Sequence, residues 1–359
     1  MTHPSRTQPW LPWMVAGLLV AGVFALRWPG FDFRVWNVDE AIHAAVARTL
    51  LDGGVLYRDA IDQRTPLTYY AVAALFQVAG ENNVRAMHAL AAELIAATAF
   101  LLFLAGRHLR GPAAGIGAAA LYALLSSSAL FPGDAYATNT EWFVALFSSA
   151  AGVVFLTGAS PATPRRLFLT GLLLGCAFLS KQPALLDLAA PVATLAYIGW
   201  RQSPARRTRL LQLLALTAGW LAPVLLTAGY LAAHGALRDG IFYTWTYNLT
   251  YYGPEITTAG RVDSLAVPFH LIGAPQPWLL GLWVVGALSV LHRLLQRQPA
   301  PPETATNPGL VFLAAWSLAG LAGAASGGRG FDHYSIQFLA PFCLGGGLAL
   351  AGLIASATM

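Results

Sequence analysis

Apolar runs of about 20 residues recur from one end of this chain to the other, each long enough to cross a hydrocarbon core about 30 Å thick as a helix. That feature removes nearly every soluble fold. Of 359 residues, 57% are hydrophobic and only 10% are charged, against roughly 25% charged in a soluble domain. The expected fold is therefore all-α: a polytopic transmembrane helical bundle, one domain over residues 1–359. Runs at 10–29, 86–106, 112–131, 140–158, 167–180, 183–200, 210–232, 275–295, 309–325 and 335–356 predict about ten spans. The stretch "PLTYYAVAALFQVAG", residues 66–80, reaches only about 22 Å as a helix, so it is read as interfacial.

The positive-inside rule supports that choice. With a cytoplasmic N-terminus and no crossing at 66–80, Arg6, Arg107, Arg110, Arg165, Arg166, Arg201, Arg206, Arg207, Arg209, Arg293 and Arg297 all fall inside. The formal net charge of +5 is thus a topology signal, and no continuous basic stripe suits nucleic acid. Most carboxylates collect on the outer side; Glu93, inside a span, and Glu303, beside the Pro-rich linker "RQPAPPETATNPG", depart. Two outer segments, 30–85 and 233–274, are long, which marks them as functional. The first carries a surface helix over "DEAIHAAVARTLLDGG", with apolar residues at helical spacing, acids at its start and Gly53-Gly54 as a stop. The greasy run after Trp10 is read as a retained helix anchored by Trp10, Trp13 and Trp28. Cys176 and Cys343 lie in apolar runs and predict no disulfide.

Four polar constellations stand out on the outer side, each with a structural and a functional reading. Asp39 and Glu40 point about 100° apart on a helix, so one faces a cavity while the other caps backbone N–H groups or binds a cation. In "DQRTPLTYY", Asp62 and Arg64 precede Tyr69 and Tyr70; the guanidinium either holds a lipid phosphate or is a solvated belt residue. In "GDAYATNTEWF", Asp134, Asn139 and Glu141 line a cavity or cap a helix. In "SGGRGFDHYSIQFLAP", Arg329, His333, Tyr334 and Gln337 follow a glycine-rich turn. Lys181, in "LSKQPALL", either snorkels or binds phosphate or sugar. Glu93 near His88 suggests a proton relay or a packed polar pair.

Taken in order, these pieces resemble the GT-C superfamily of membrane glycosyltransferases, nearest to its protein O-mannosyltransferase and aminoarabinose transferase branch. The resemblance rests on an outer loop opening with Asp-Glu, a "D-x-K/R-x-P-L-x-Y-Y/W" segment, the "GRHLRG" inner turn, an outer carboxylate turn and a late "HY…P" helix. It is strongest from Trp36 to Glu141. It implies that Asp39, beside Glu40, is the first-loop aspartate acting as base on the acceptor or positioning it. It implies that Asp62 and Arg64 lie at the phosphate of a polyprenyl-phosphate sugar, although Arg replaces the usual Lys and Thr65 departs from the pattern. Asp134 or Glu141 resembles a further outer acid, and Arg329, His333 and Tyr334 resemble late-loop groups near the donor phosphate.

The function so implied is transfer of a sugar, hexosyl or pentosyl, from a polyprenyl phosphate to a lipid, glycan or protein acceptor, with inversion. The setting is the outer face of a bacterial plasma membrane, among membrane lipids. Some relatives use a divalent cation, for which the acids here define no ligand set. There is no G-x-x-x-x-G-K-[ST], G-x-S-x-G, H-E-x-x-H or CxxC, so ATP-driven transport, hydrolase-type catalysis and standard zinc sites lack support. The rival is a secondary transporter or lipid flippase, for which a half-repeat with midplane charges would be expected.

Overall fold

The computed structural model describes residues 10–32, 37–158, 163–202, 205–295 and 306–357. Arg6, Arg34, Trp36, Arg297, Glu303 and most of the Pro-rich linker lie outside the described residues. Fifteen α-helices account for nearly all of the rest, with no β-strand among the described residues. The all-α expectation holds.

Helix α1 (Leu11–Arg27) runs into a short 3-10 turn, and its Trp10, Trp13 and Trp28 are exposed as anchors should be. Helices α2 (Val38–Leu51) and α3 (Leu67–Ala79) follow before α4 (Val84–Arg110) and α5 (Pro112–Ser128) cross the bundle. Next come a short α6 (Pro132–Tyr136), α7 (Thr140–Leu156), α8 (Pro164–Ser180), α9 (Ala189–Gln202) and α10 (Arg206–Ala233). The second long segment holds α11 (Leu237–Ile241), a π-helix Phe242–Tyr252 and α12 (Thr258–Gly273), and α13 (Pro277–Leu295), α14 (Thr306–Ser326) and α15 (Ile336–Ala357) complete the chain. The ten predicted spans coincide with α1, α4, α5, α7, α8, α9 with its preceding 3-10 turn, α10, α13, α14 and α15. Among the described residues, six helical stretches are long and apolar enough to cross a membrane by length and composition, and several of the others are shorter apolar helices.

Helix α3 has 13 residues, about 20 Å of helix, too short for a 30 Å core. Its Val72, Ala73 and Phe76 instead bury against Ala47 of α2 and Met87 of α4. Helix α2 starts where Asn37 accepts the Glu40 N–H at 2.9 Å, so the cap lies two residues before Asp39. It stops before Gly53, whose φ of +87° suits glycine.

The main core is built by α4, α5, α7 and α15 around Phe103, Tyr122, Trp142, Phe338 and Phe342. Small residues let the helix backbones approach closely, as membrane packing requires. A Cβ on Gly219 of α10 would sit 2.0 Å from the Phe168 carbonyl oxygen of α8.

Polarity follows from helix direction. Helix α4 begins beside His88 and ends at Arg107, His108 and Arg110; α9 ends at Arg201, and α10 begins with Arg206, Arg207 and Arg209. The basic residues and the polar constellations thus stand at opposite ends of the same helices. Glu93 is the exception: it is exposed on α4, whereas His88 is buried. Five residues on a 3.6-residue turn leave their side chains roughly 140° apart, so the proposed Glu93–His88 relay is absent.

Candidate active site

Four chain segments meet where these helices end. The α2 start supplies Asp39 and Glu40, the turn before α3 supplies Asp62 and Arg64, the α6–α7 corner supplies Asp134, Asn139 and Glu141, and the 3-10 turn Asp332–Ser335 supplies His333 and Tyr334. Lys181 enters from the end of α8.

Arg64 is the bridge between the first two. Its Nη2 donates to Asp39 Oδ1 at 2.5 Å and its Nη1 to Asp62 Oδ2 at 3.2 Å. Burial works against its charge, and the Asp39 and Asp62 carboxylates outweigh that, holding Arg64 above its ordinary pKa. A guanidinium has five N–H donors, so these two contacts do not exhaust it. Asp39 keeps Oδ2 toward His333 Nε2, 3.7 Å away, and its side chain is 25% exposed. It is therefore fixed on one side and reachable on the other.

His333 is the hub of the second pair of segments. Its Nδ1 lies 3.1 Å from Asp134 Oδ1 and its Nε2 3.9 Å from Glu141 Oε1. The ring stacks on Phe331 and meets Tyr334 edge-on. Lys181 donates to the buried Glu141 carboxylate and lies 3.8 Å from the centre of the Tyr334 ring, a cation–π contact. Asn139 does not cap α7; its amide donates to the Asp134 carbonyl at 2.7 Å and its Oδ1 accepts from Asn37 at 3.2 Å.

Glu40 faces the other way from Asp39, as a 100° step requires. It is buried, accepts the Thr138 N–H at 3.0 Å and lies 3.2 Å from His88 Nε2. Arg329 stands apart from the cluster, paired at 2.9 Å with the exposed Glu255 of the second long segment. Ten of the eleven predicted residues thus share one contiguous neighbourhood, and Arg329 sits at its edge.

Several partners escaped the sequence reading. Asn37, His43, His88 and Thr138 bind the predicted residues or the same turn, yet nothing in local spacing links positions 40 and 138. Asp187 is buried between Ser148 and Gln337, and tethers the start of α15 just after His333.

His43 carries a testable consequence. Its Nδ1 lies 3.0 Å from the Thr138 carbonyl oxygen, to which it must donate. Burial first, then the Arg64 charge, pushes its pKa down from 6.5 to about 4. The folded state therefore favours neutral His43, and the stability this gives is full above about pH 6.5 and lost as pH falls toward 4. Thermal unfolding of the purified protein between pH 7 and 4 should show Tm falling across that window, with up to about 3 kcal/mol of stability lost at this site. In His43→Asn the fall should be visibly shallower; an unchanged slope would remove His43 as its source.

Residues 63–228 match the family model described as dolichyl-phosphate-mannose-protein mannosyltransferase. Among solved structures, the Archaeoglobus fulgidus oligosaccharyltransferase in the apo form aligns with a TM-score of 0.61 at 14% identity, over 98% of this chain and 52% of that one. ArnT from Cupriavidus metallidurans, solved bound to undecaprenyl phosphate, aligns with a TM-score of 0.62 at 16% identity, over 94% of this chain and 60% of that one. The oligosaccharyltransferase AglB from Archaeoglobus fulgidus, in complex with an inhibitory peptide and a dolichol-phosphate, gives 0.57 at 13%, over 98% of this chain and 51% of that one. No curated protein sequence matches. The chain spans between about half and 60% of the length of these solved relatives. The fold is that of these solved structures, and the family-model match over residues 63–228 agrees with the resemblance that the ordered motifs carry.

A divalent cation fits this donor set poorly. Among the described residues no three His, Cys, Asp or Glu side chains converge as ligands, and Asp39 Oδ1 is already held by Arg64.

Proposed function

We propose that this protein is an integral membrane glycosyltransferase that moves a sugar from a polyprenyl-phosphate donor to an acceptor hydroxyl of a lipid, glycan or protein. The observation that carries the reading is Asp39. It is a partly exposed carboxylate, clamped through one oxygen by Arg64 at 2.5 Å and turned through the other toward His333 Nε2, 3.7 Å away, at the mouth of a membrane bundle.

The chemistry asks for little else. The acceptor oxygen forms a bond to the anomeric carbon while the carbon–oxygen bond to phosphate breaks. The acceptor proton passes to Asp39 Oδ2, and the polyprenyl phosphate leaves with the electron pair of the broken bond. A positioned base and cations aimed at the leaving phosphate are the two terms that lower such a barrier. Arg64, its turn fixed by Asp62, and Lys181 on the Tyr334 ring are the cations nearest the base, and His333 stands between them and Asp134. Asp134, part-exposed, faces the place where sugar or acceptor rests, and the buried Asn139 and Glu141 back that wall. Arg329, at the rim, meets the donor head group as it enters. Glu40 positions: it ties α2 to the α6–α7 corner.

Direct displacement of the phosphate by the acceptor oxygen, with no covalent intermediate on the protein, means inversion, the outcome that the family resemblance also implies. The basic clusters at the far ends of the helices support a site on the outer face of the membrane, which we read as a bacterial plasma membrane. The solved relatives with bound dolichol phosphate and undecaprenyl phosphate support the donor class.

The test is transfer of radiolabelled sugar from polyprenyl phosphate to lipid or protein acceptors by the purified protein in detergent. Label arriving on an acceptor, with the opposite anomeric configuration, is the expected result. Label crossing sealed vesicles without changing carrier would overturn the reading in favour of a transporter.

A further inference from the structure

The turn that presents Arg64 is held at more points than a surface loop needs. The Gln63 carbonyl oxygen accepts two side-chain amides, Gln182 Nε2 at 2.8 Å and Asn248 Nδ2 at 3.1 Å. The Arg64 carbonyl oxygen accepts the Tyr57 hydroxyl at 2.7 Å, and the Arg64 N–H donates to Asp62 Oδ1 at 2.9 Å. The three donors from outside the turn come from separate places: the loop after α2, the 3-10 turn after α8, and the π-helix of the second long segment.

Two of the three carry unusual backbone. Tyr57 has φ +71° while fully enclosed, a rare conformation for a bulky residue. It is enforced by its neighbours: the Tyr57 N–H donates to the Ala60 carbonyl at 2.7 Å, and Asp59 Oδ2 accepts the Val55 N–H at 2.7 Å. Gly240, at the end of α11, leaves room for the ring; a Cβ there would lie 3.1 Å from Tyr57 Cδ2. Asn248 stands in an 11-residue π-helix, a form that is rare and frequent at functional sites. Strain and irregular helix persist only where the surroundings over-determine them.

We infer that Tyr57, Gln182 and Asn248 are positioning residues that fix the Arg64 turn, so that the guanidinium meets the donor phosphate already aimed. The inference rests on the reading of Arg64 as a donor-phosphate ligand. It also explains what the second long segment does, since through Asn248 and Gly240 that segment braces a turn 185 residues earlier in the chain.

Two measurements test it together. Hydrogen exchange of the backbone amides at 62–65 reads the brace itself. Affinity for undecaprenyl phosphate, with dolichyl phosphate in parallel, reads its purpose. In Tyr57→Phe, which keeps the ring, and in Asn248→Ala, exchange at 62–65 should quicken and affinity should weaken about 3- to 10-fold, the worth of one lost hydrogen bond. In an Arg64→Ala background the same substitutions should leave affinity unchanged, because coupled residues are not additive. Unaltered exchange, unaltered affinity, or an equal loss of affinity in the Arg64→Ala background would each overturn the inference. If the unmodified protein binds neither lipid, the functional reading fails, and the exchange result alone decides whether the brace exists.

Discussion

Asp39→Asn should lower the turnover of sugar transfer by about 100- to 10,000-fold, the span that a positioned general base contributes. The substitution is chosen because it changes little else. Asn has the same shape, and its carbonyl oxygen can still accept from Arg64 Nη2, which reaches Asp39 Oδ1 at 2.5 Å. The carboxylate is one-quarter exposed and Arg64 keeps its ion pair with Asp62, so thermal stability should stay close to that of the unmodified protein. The lost property is the basic oxygen facing His333. Donor KM should move little, because the proposed function gives the phosphate to Arg64 and Lys181 rather than to Asp39. Turnover within a few-fold of the unmodified protein would end the assignment of Asp39 as base. A large rise in donor KM with turnover preserved would mean that Asp39 acts only through Arg64.

Most of this neighbourhood was legible in the sequence, for a physical reason. A membrane chain carries few charges, and those it keeps stand near the ends of apolar runs or face a cavity. Counting arginines sorted the ends of the runs, and the carboxylates then fell together: Asp39, Asp62, Asp134 and Glu141 do share one volume with Arg64, Lys181 and His333. Helical geometry alone separated Asp39 from Glu40. Pairings across the sequence left no trace. Glu40 meets Thr138 and His88, 98 and 48 residues away, and His88 looked closer to Glu93 only because sequence distance hides the face of a helix. Asn139, with Glu141 in the first turn of the next helix, also fits a capping pattern, yet the Asn139 side chain serves the Asp134 carbonyl and Asn37. The π-helix of residues 242–252 was invisible as well, since an i→i+5 ladder has no hydrophobic period of its own.

Glu40 separates positioning from chemistry. Its carboxylate is 1% exposed and answers two buried donors or partners, the Thr138 N–H at 3.0 Å and His88 Nε2 at 3.2 Å. Glu40→Ala removes a partner from both in a buried space, which costs about 2–5 kcal/mol when a buried pair is broken from one side. The expected result is a Tm lower by several degrees in detergent, with turnover of the surviving folded fraction reduced less than in Asp39→Asn. Glu40→Gln is the milder partner: its amide oxygen still accepts the Thr138 N–H, and its NH₂ meets His88 Nε2 if that nitrogen is unprotonated, so most of the stability should return. The two substitutions therefore fall on a line of stability, whereas a reacting carboxylate would fail equally in both. Wild-type stability with abolished transfer in both variants would make Glu40 a second catalytic acid, and the tie between α2 and the α6–α7 corner would then need another source.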